Sequence, residues 1–263
     1  MRSAHTAVTS HFPLRKTRPL GPSAGLRQPG HLLSRSSRNN SLLRPFARSG
    51  GDGHGPTKAT RRSLMSVAAI GSLFGRGPDS LVRSGMDKFR KGEIDGSLED
   101  FDRVYKDAPQ MRAYLWQRGL SLYYAGRFQE GADQFREDVS VNPNDSEEAI
   151  WAFMCEVLTD GIPEAQKNFL QVGRDPRPVL RAALDCFENG KDPKQIASAA
   201  PQDGSGEHFY SLLYVALWNE AYGNPETAEE NMVKATATRY AQFSGDYMAS
   251  LAKVHCMERD WNV

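Results

Sequence analysis

Sliding the chain by 34 residues lays Pro78–Met111 over Arg112–Asp145, and the special positions coincide. Gly85 meets Gly119, Phe89 meets Tyr123, Gly92 meets Gly126, and Ile94 meets Phe128. Ser97 meets Gly131, Leu98 meets Ala132, Phe101 meets Phe135, and Pro109 meets Pro143. A chain that repeats at such a period is restricted to stacked supersecondary units, each burying an apolar face against the next.

The coincidences have mechanical readings. Small residues at 85/119 and 97/131 let two helices approach closely. Gly92 and Gly126 end a first helix, where a left-handed residue without Cβ costs no strain. Phe101 and Phe135 plug the space between neighbouring repeats, and Pro109 and Pro143 stop a second helix and start the next. From Asp79 onward apolar residues recur at three- and four-residue spacing, with no long alternating Val/Ile/Thr run. The expected fold is all-α: four to five helical hairpins stacked as a solenoid over residues 78–263.

Downstream the copies decay. Ser146–Val179 keeps Ala149, Trp151, Ala165 and Phe169, but Asp160-Gly161-Ile162-Pro163 replaces the usual turn. Arg177–Ala200 reads as a helix ending at Asn189-Gly190, then a short one after Asp192. His208–Thr238 recovers the pattern, with Ala216, Gly223, Ala228 and Ala235 at the small positions. Gly245–Trp261 reads as one amphipathic helix, with Tyr247, Leu251, Val254 and Met257 on one face, that caps the stack.

The 34-residue pattern resembles the tetratricopeptide repeat (TPR), whose helix pairs stack into a superhelix. Within that family the order of pieces is similar to the NlpI-type bacterial TPR lipoproteins and their organelle-addressed relatives in plants and algae. The likeness rests on Arg118-Gly119, Leu122-Tyr123-Tyr124, Gly126-Arg127, Asn142-Pro143-Asn144-Asp145 and Ile150-Trp151, and resumes from Phe209-Tyr210 to Ala235. It implies a dimer-forming adaptor that brings proteases or hydrolases to their targets. No cysteine precedes Cys155, so lipid anchoring does not carry over.

Charge divides the chain. Residues 1–78 hold 13 of the 33 Lys and Arg and a single acid, Asp52, leaving 20 bases and 31 acids in the remainder. Residues 1–60 are rich in Ser, Arg, Gly and Pro, which bury no core, and read as a disordered transit peptide or a flexible basic tail. In segment 61–77, Arg61-Arg62 precedes the charge-free run Ser63–Gly75, too short for a membrane span but fitting the core of a twin-arginine signal. No clean A-x-A site closes the run, which leaves an uncut anchor or a short helix as alternatives. The two-part leader resembles the address of thylakoid-lumen proteins. It places the chain in the chloroplast, in the lumen or on the lumen-facing membrane ahead of the stroma, with peripheral thylakoid association as one outcome.

Chemistry-bearing motifs are not visible. The chain has no Walker loop, no G-x-G-x-x-G and no H-E-x-x-H, so neither a cofactor, a metal site nor catalysis is expected. His255 and Cys256 are adjacent on one helix and diverge. Glu99-Asp100, Glu147-Glu148 and Glu229-Glu230 read as solvated faces. The acidic body repels phosphate, which argues against nucleic acid. Arg174–Pro178 reads as a rigid connector between helices.

The remaining expectation is protein binding. In the repeat register the first helices present Val82, Met86, Phe89 and Arg90, then Trp116, Leu120, Tyr123 and Tyr124, then Ile150, Met154 and Val157 to a concave face. Such an aromatic and methionine-rich groove suits peptide anchors or a partner helix. The same residues read equally well as core, or as surface covered by the chain's own later helices, with Trp116 and Tyr124 the most exposed. The competing function is self-association, in which a homodimer closes the groove.

Overall fold

The computed structural model describes residues 77–262, and the expectations for residues 1–76 lie outside them. Among the described residues are twelve α-helices, one 3-10 turn and no strand, as the all-α expectation requires. The helices form five successive pairs. They are α1 (Pro78–Arg90) with α2 (Ile94–Asp107), α3 (Trp116–Tyr124) with α4 (Phe128–Val141), and α5 (Glu147–Asp160) with α6 (Ile162–Lys167). Then come α7 (Pro178–Asn189) with α8 (Lys194–Ser198) and α9 (Gly206–Ala221) with α10 (Pro225–Ala237). The short α11 (Arg239–Phe243) leads into α12 (Tyr247–Glu258).

Three first helices end in the same way, and the repeat explains it. Gly92, Gly126 and Gly223 adopt φ of +75°, +76° and +77°. The amide after each reaches back to a carbonyl five residues earlier: Glu93 to Lys88, Arg127 to Leu122, and Asn224 to Asn219. The chain reverses there because only a residue without Cβ adopts that conformation cheaply, and the bond satisfies a carbonyl the helix leaves free. Pro109 opens the 3-10 turn Pro109–Tyr114, so the next α-helix starts only at Trp116.

The small positions work as close approaches within a pair. A Cβ placed on Gly85 would stand 3.0 Å from the Phe101 ring, and one on Gly119 only 2.6 Å from Phe135. Phe101 and Phe135 therefore lie across the glycine of their own first helix, while Phe101 also clusters with Leu115 and Phe135 shares a wall with Trp151 of the next pair. Ala216, Ala228 and Ala235 are fully buried. In the third pair α6 is short, and an extended strap over residues 168–177 replaces its second half. Gly173 bonds that strap to the carbonyl of Pro143 at 2.6 Å.

The largest departure from expectation is the C-terminal helix. Its residues Tyr247, Met248, Ala249, Leu251, Ala252, Val254, His255 and Cys256 are all buried, Ser250 and Glu258 are half-buried, and Lys253 and Met257 are exposed. A helix apolar on nearly all sides belongs in an interior. It covers the last pair by packing on α10, as a cap would, and it also packs on α1, joining the last pair to the first. The array is closed on itself by its own C-terminus.

The glycine contacts give the first expectation. Gly119→Ala forces a methyl against Phe135 and should cost about 1–3 kcal/mol by overpacking. In a domain of this size that lowers Tm by roughly 2–4 °C per kcal/mol, read by circular dichroism of the full chain. Gly126→Ala meets no atom within 4 Å but keeps the positive φ, so its loss would be a backbone effect alone.

Candidate functional site

Of the residues expected to line a binding groove, Met86, Phe89 and Arg90 lie on α1 and Trp116, Leu120, Tyr123 and Tyr124 on α3, and α12 packs against several of them. Tyr247 stacks on Phe89 with ring centroids 5.4 Å apart and meets Trp116 edge-on at 5.3 Å. The Arg90 guanidinium sits 5.0 Å from the Tyr247 ring. Phe89, Leu120 and Tyr123 are buried, while Met86, Arg90 and Trp116 are half-buried. Tyr124, expected to be exposed, is 7% exposed. That expectation is corrected: the helix following the last pair covers the ring. Closing the groove requires no second copy of the chain.

Beneath α12 lies a buried polar network no short motif announces. Tyr124 Oη is 3.0 Å from His255 Nδ1, and His255 Nε2 is 2.8 Å from Glu220 Oε2. Arg259 Nε donates to Glu220 Oε1 at 2.8 Å, and Tyr123 Oη lies 3.3 Å from Arg259 Nη2. Burial alone would raise the Glu220 carboxyl, but His255 and Arg259 hold it down at about 2. Burial, with the Arg259 cation beside it, pushes the His255 imidazole down to about 4. The network therefore rests on an ionised Glu220 facing Arg259, with His255 neutral above its own value. Burial pushes both tyrosine hydroxyls up.

Where α12 begins it leaves the groove open, as a cleft of about 640 Å³. Its walls come from the starts of α3, α5, α7, α9 and α12, together with Phe135 of α4 and Tyr240 of α11. Trp116 and Leu120 are the two predicted groove residues in it, beside Trp151, Tyr210 and Met248. Its charged residues are Asp145, Glu147, Glu148, Glu207 and a single cation, Arg177.

Arg177 is already engaged. It reaches Glu147 at 2.7 Å and Asp175 at 2.8 Å, and lies 5.6 Å from the Tyr210 ring. Tyr214 donates to the other Glu147 oxygen at 2.9 Å, and Ser146 donates to Asp175 at 2.5 Å. The segment Arg174–Pro178 is thus a connector nailed down by the buried Asp175, rather than by its prolines alone. Arg118 turns to Asp102 at 2.7 Å and over Tyr105.

Glu147 and Glu148 overturn their reading as a solvated face, because both are buried. Their place in the first turn of α5 is favourable for acids at a helix N-terminus. Burial, then the neighbouring Asp145, Asp138 and Glu147, pushes the Glu148 carboxyl well above the usual carboxylate range. Burial with Asp145 and Glu137 raises Asp138 to about 7. The sequence signal was present in part: Glu148 and Trp151 are three residues apart, hence on one helix face, and Trp151 is apolar and large.

No helix among the described residues is long and apolar enough to cross a membrane. The described residues define an all-α array of helix pairs, closed by its C-terminal helix, with an acidic aromatic cleft at the open end of its inner face. No protein-family model matches the chain.

The network gives a pH dependence with a definite sign. The His255 value falls from 6.5 unfolded to about 4 folded, so its contribution is complete above 6.5 and lost as pH drops towards 4. That displacement corresponds to about 3 kcal/mol. Glu220 acts in the same direction lower down, between 4.5 and about 2. Asp138 and Glu148 have raised values and act with the opposite sign, losing stability as pH rises. Urea denaturation of the full chain against pH should therefore show the difference between wild type and His255→Gln shrinking as pH falls through that window.

Proposed function

We propose that this chain is a non-catalytic protein-binding module of the tetratricopeptide type, acting in the chloroplast in or against the thylakoid lumen. The TPR reading draws support from the 34-residue repeat and from three first helices that end in the same glycine turn. The location draws support from the two-part basic leader, whose residues lie outside the described structure. The observation that carries the binding function is the cleft: five of its fourteen wall residues are aromatic, and its acidic residues outnumber its cations four to one. Charged and aromatic groups gathered in one concavity suit recognition of another molecule's side chains.

Binding rather than assembly of copies is favoured by the internal covering of the groove, which leaves a cleft and not a long apolar face. The adaptor role implied by the NlpI-type resemblance is compatible with this site. Such a role needs one surface for the client and another for the hydrolase. The half-exposed Met257 and the exposed Phe243, at the ends of α12 and α11, are candidates for the second contact.

Cross-linking the full chain in isolated organelles should return a small set of proteins that is lost with Trp116→Ala. A set unchanged by that substitution, or self-capture alone, would overturn the reading. A reporter fused to the C-terminus of the full chain should reach the thylakoid lumen. Import should fail when Arg61 and Arg62 are both changed to Lys, and unimpaired lumenal import would exclude the twin-arginine route.

A further inference from the structure

We propose that the cleft beside Glu148 and Trp151 takes the guanidinium of an arginine carried on an extended segment of a partner protein. The proposal rests on the binding reading above and names the chemistry of what is bound.

The cleft contains mismatched polar groups of complementary kinds. Glu148 is 4% exposed and Trp151 2% exposed, and both lie in the cleft wall. One carboxylate oxygen of Glu148, one of Glu207 and the indole Nε1 of Trp151 are buried without a hydrogen-bond partner. Buried groups left in that state cost free energy until a partner arrives. Two unmatched acceptors ask for N–H donors, and the indole asks for an acceptor. An arginine within a peptide supplies both, through its planar fork of donors and the carbonyls of its backbone.

Charge and shape select arginine among cations. Arg177 occupies one side of the cleft, engaged by Glu147 and Asp175 and set against Tyr210, so the wall already holds one guanidinium between carboxylates and an aromatic ring. With Arg177 spent on Glu147 and Asp175, Asp145, Glu148 and Glu207 have no cation among the described residues against them in the cleft. The half-buried Trp116 offers a further ring, on which a guanidinium stacks better than an ammonium. Among the described residues no group of three or more His, Cys, Asp or Glu is placed to hold a metal ion.

The test is fluorescence anisotropy of the full chain with a labelled Gly-Ser-Arg-Gly-Arg-Ser-Gly peptide, against counterparts with lysine or glutamine in place of arginine. Saturable one-to-one binding is expected, weaker for the lysine peptide and absent for glutamine. Glu148→Gln should weaken it by about tenfold or more, as should Glu207→Gln. Glu230→Gln, an exposed acid on α10, removes the same charge and should leave binding intact. Glu148→Gln replaces a carboxyl that burial already holds towards its neutral form by an isosteric amide, so its Tm should not fall; if that variant misfolds, Glu207→Gln carries the result. Equal binding of the glutamine peptide, displacement of the peptide by calcium or magnesium alone, or equal losses in the cleft variants and Glu230→Gln would overturn the proposal. If organelle partners are captured equally by wild type and Glu148→Gln, the arginine assignment fails while the binding function stands. If no partner depends on Trp116, the binding function itself has failed.

Discussion

Everything distinctive about this fold depends on one helix docking where an open array would have a groove. Tyr247 stacks on Phe89 of the first pair, and His255 and Arg259 meet Glu220 of the last. The contact spans residues far apart in sequence, so loop closure is costly and the apolar surface buried must offset it. Once docked, α12 turns five helix pairs with two free ends into a closed body. It also converts the aromatic residues of the first helices from a binding surface into core.

The docking carries a charged network into a dry interior. A buried ion pair is weak evidence for stability, because desolvation offsets most of the attraction; removing one partner is costly, because the other is left uncompensated. Glu220, His255 and Arg259 therefore act as a register device. They allow α12 only the seat in which the carboxylate meets both the guanidinium and the imidazole. An aliphatic helix could slide by a turn on the same apolar face, and this one cannot without stranding Glu220.

At the other end of the same face the charge is left unbalanced. Asp175, Ser146, Glu147, Tyr214 and Arg177 form a satisfied network that anchors the extended strap. Glu148, Asp145 and Asp138 crowd together without a cation, which raises the carboxyl values of Asp138 and Glu148. One inner face thus divides into a sealed half under α12 and an electrostatically unfinished half at its N-terminus. The division gives the protein a rigid interior and a site in the same layer of helices.

The sequence alone determined the parts whose causes are local. Glycine at 92, 126 and 223 forces the turns, because only a residue without Cβ reverses a helix there without strain. The small residues at 85 and 119 set the close approach of paired helices, and the 34-residue period makes the body helical throughout. Tertiary structure alone decided which faces meet water. The apolar stripe of residues 247–256 fits a cap or a filler equally well. Glu147-Glu148 looks solvated until strap, α7 and α9 converge on it, and His255 is silent until Glu220 and Arg259 arrive. Helical period reports which side chains share a face; burial and charge balance depend on partners from distant segments, which only packing brings together.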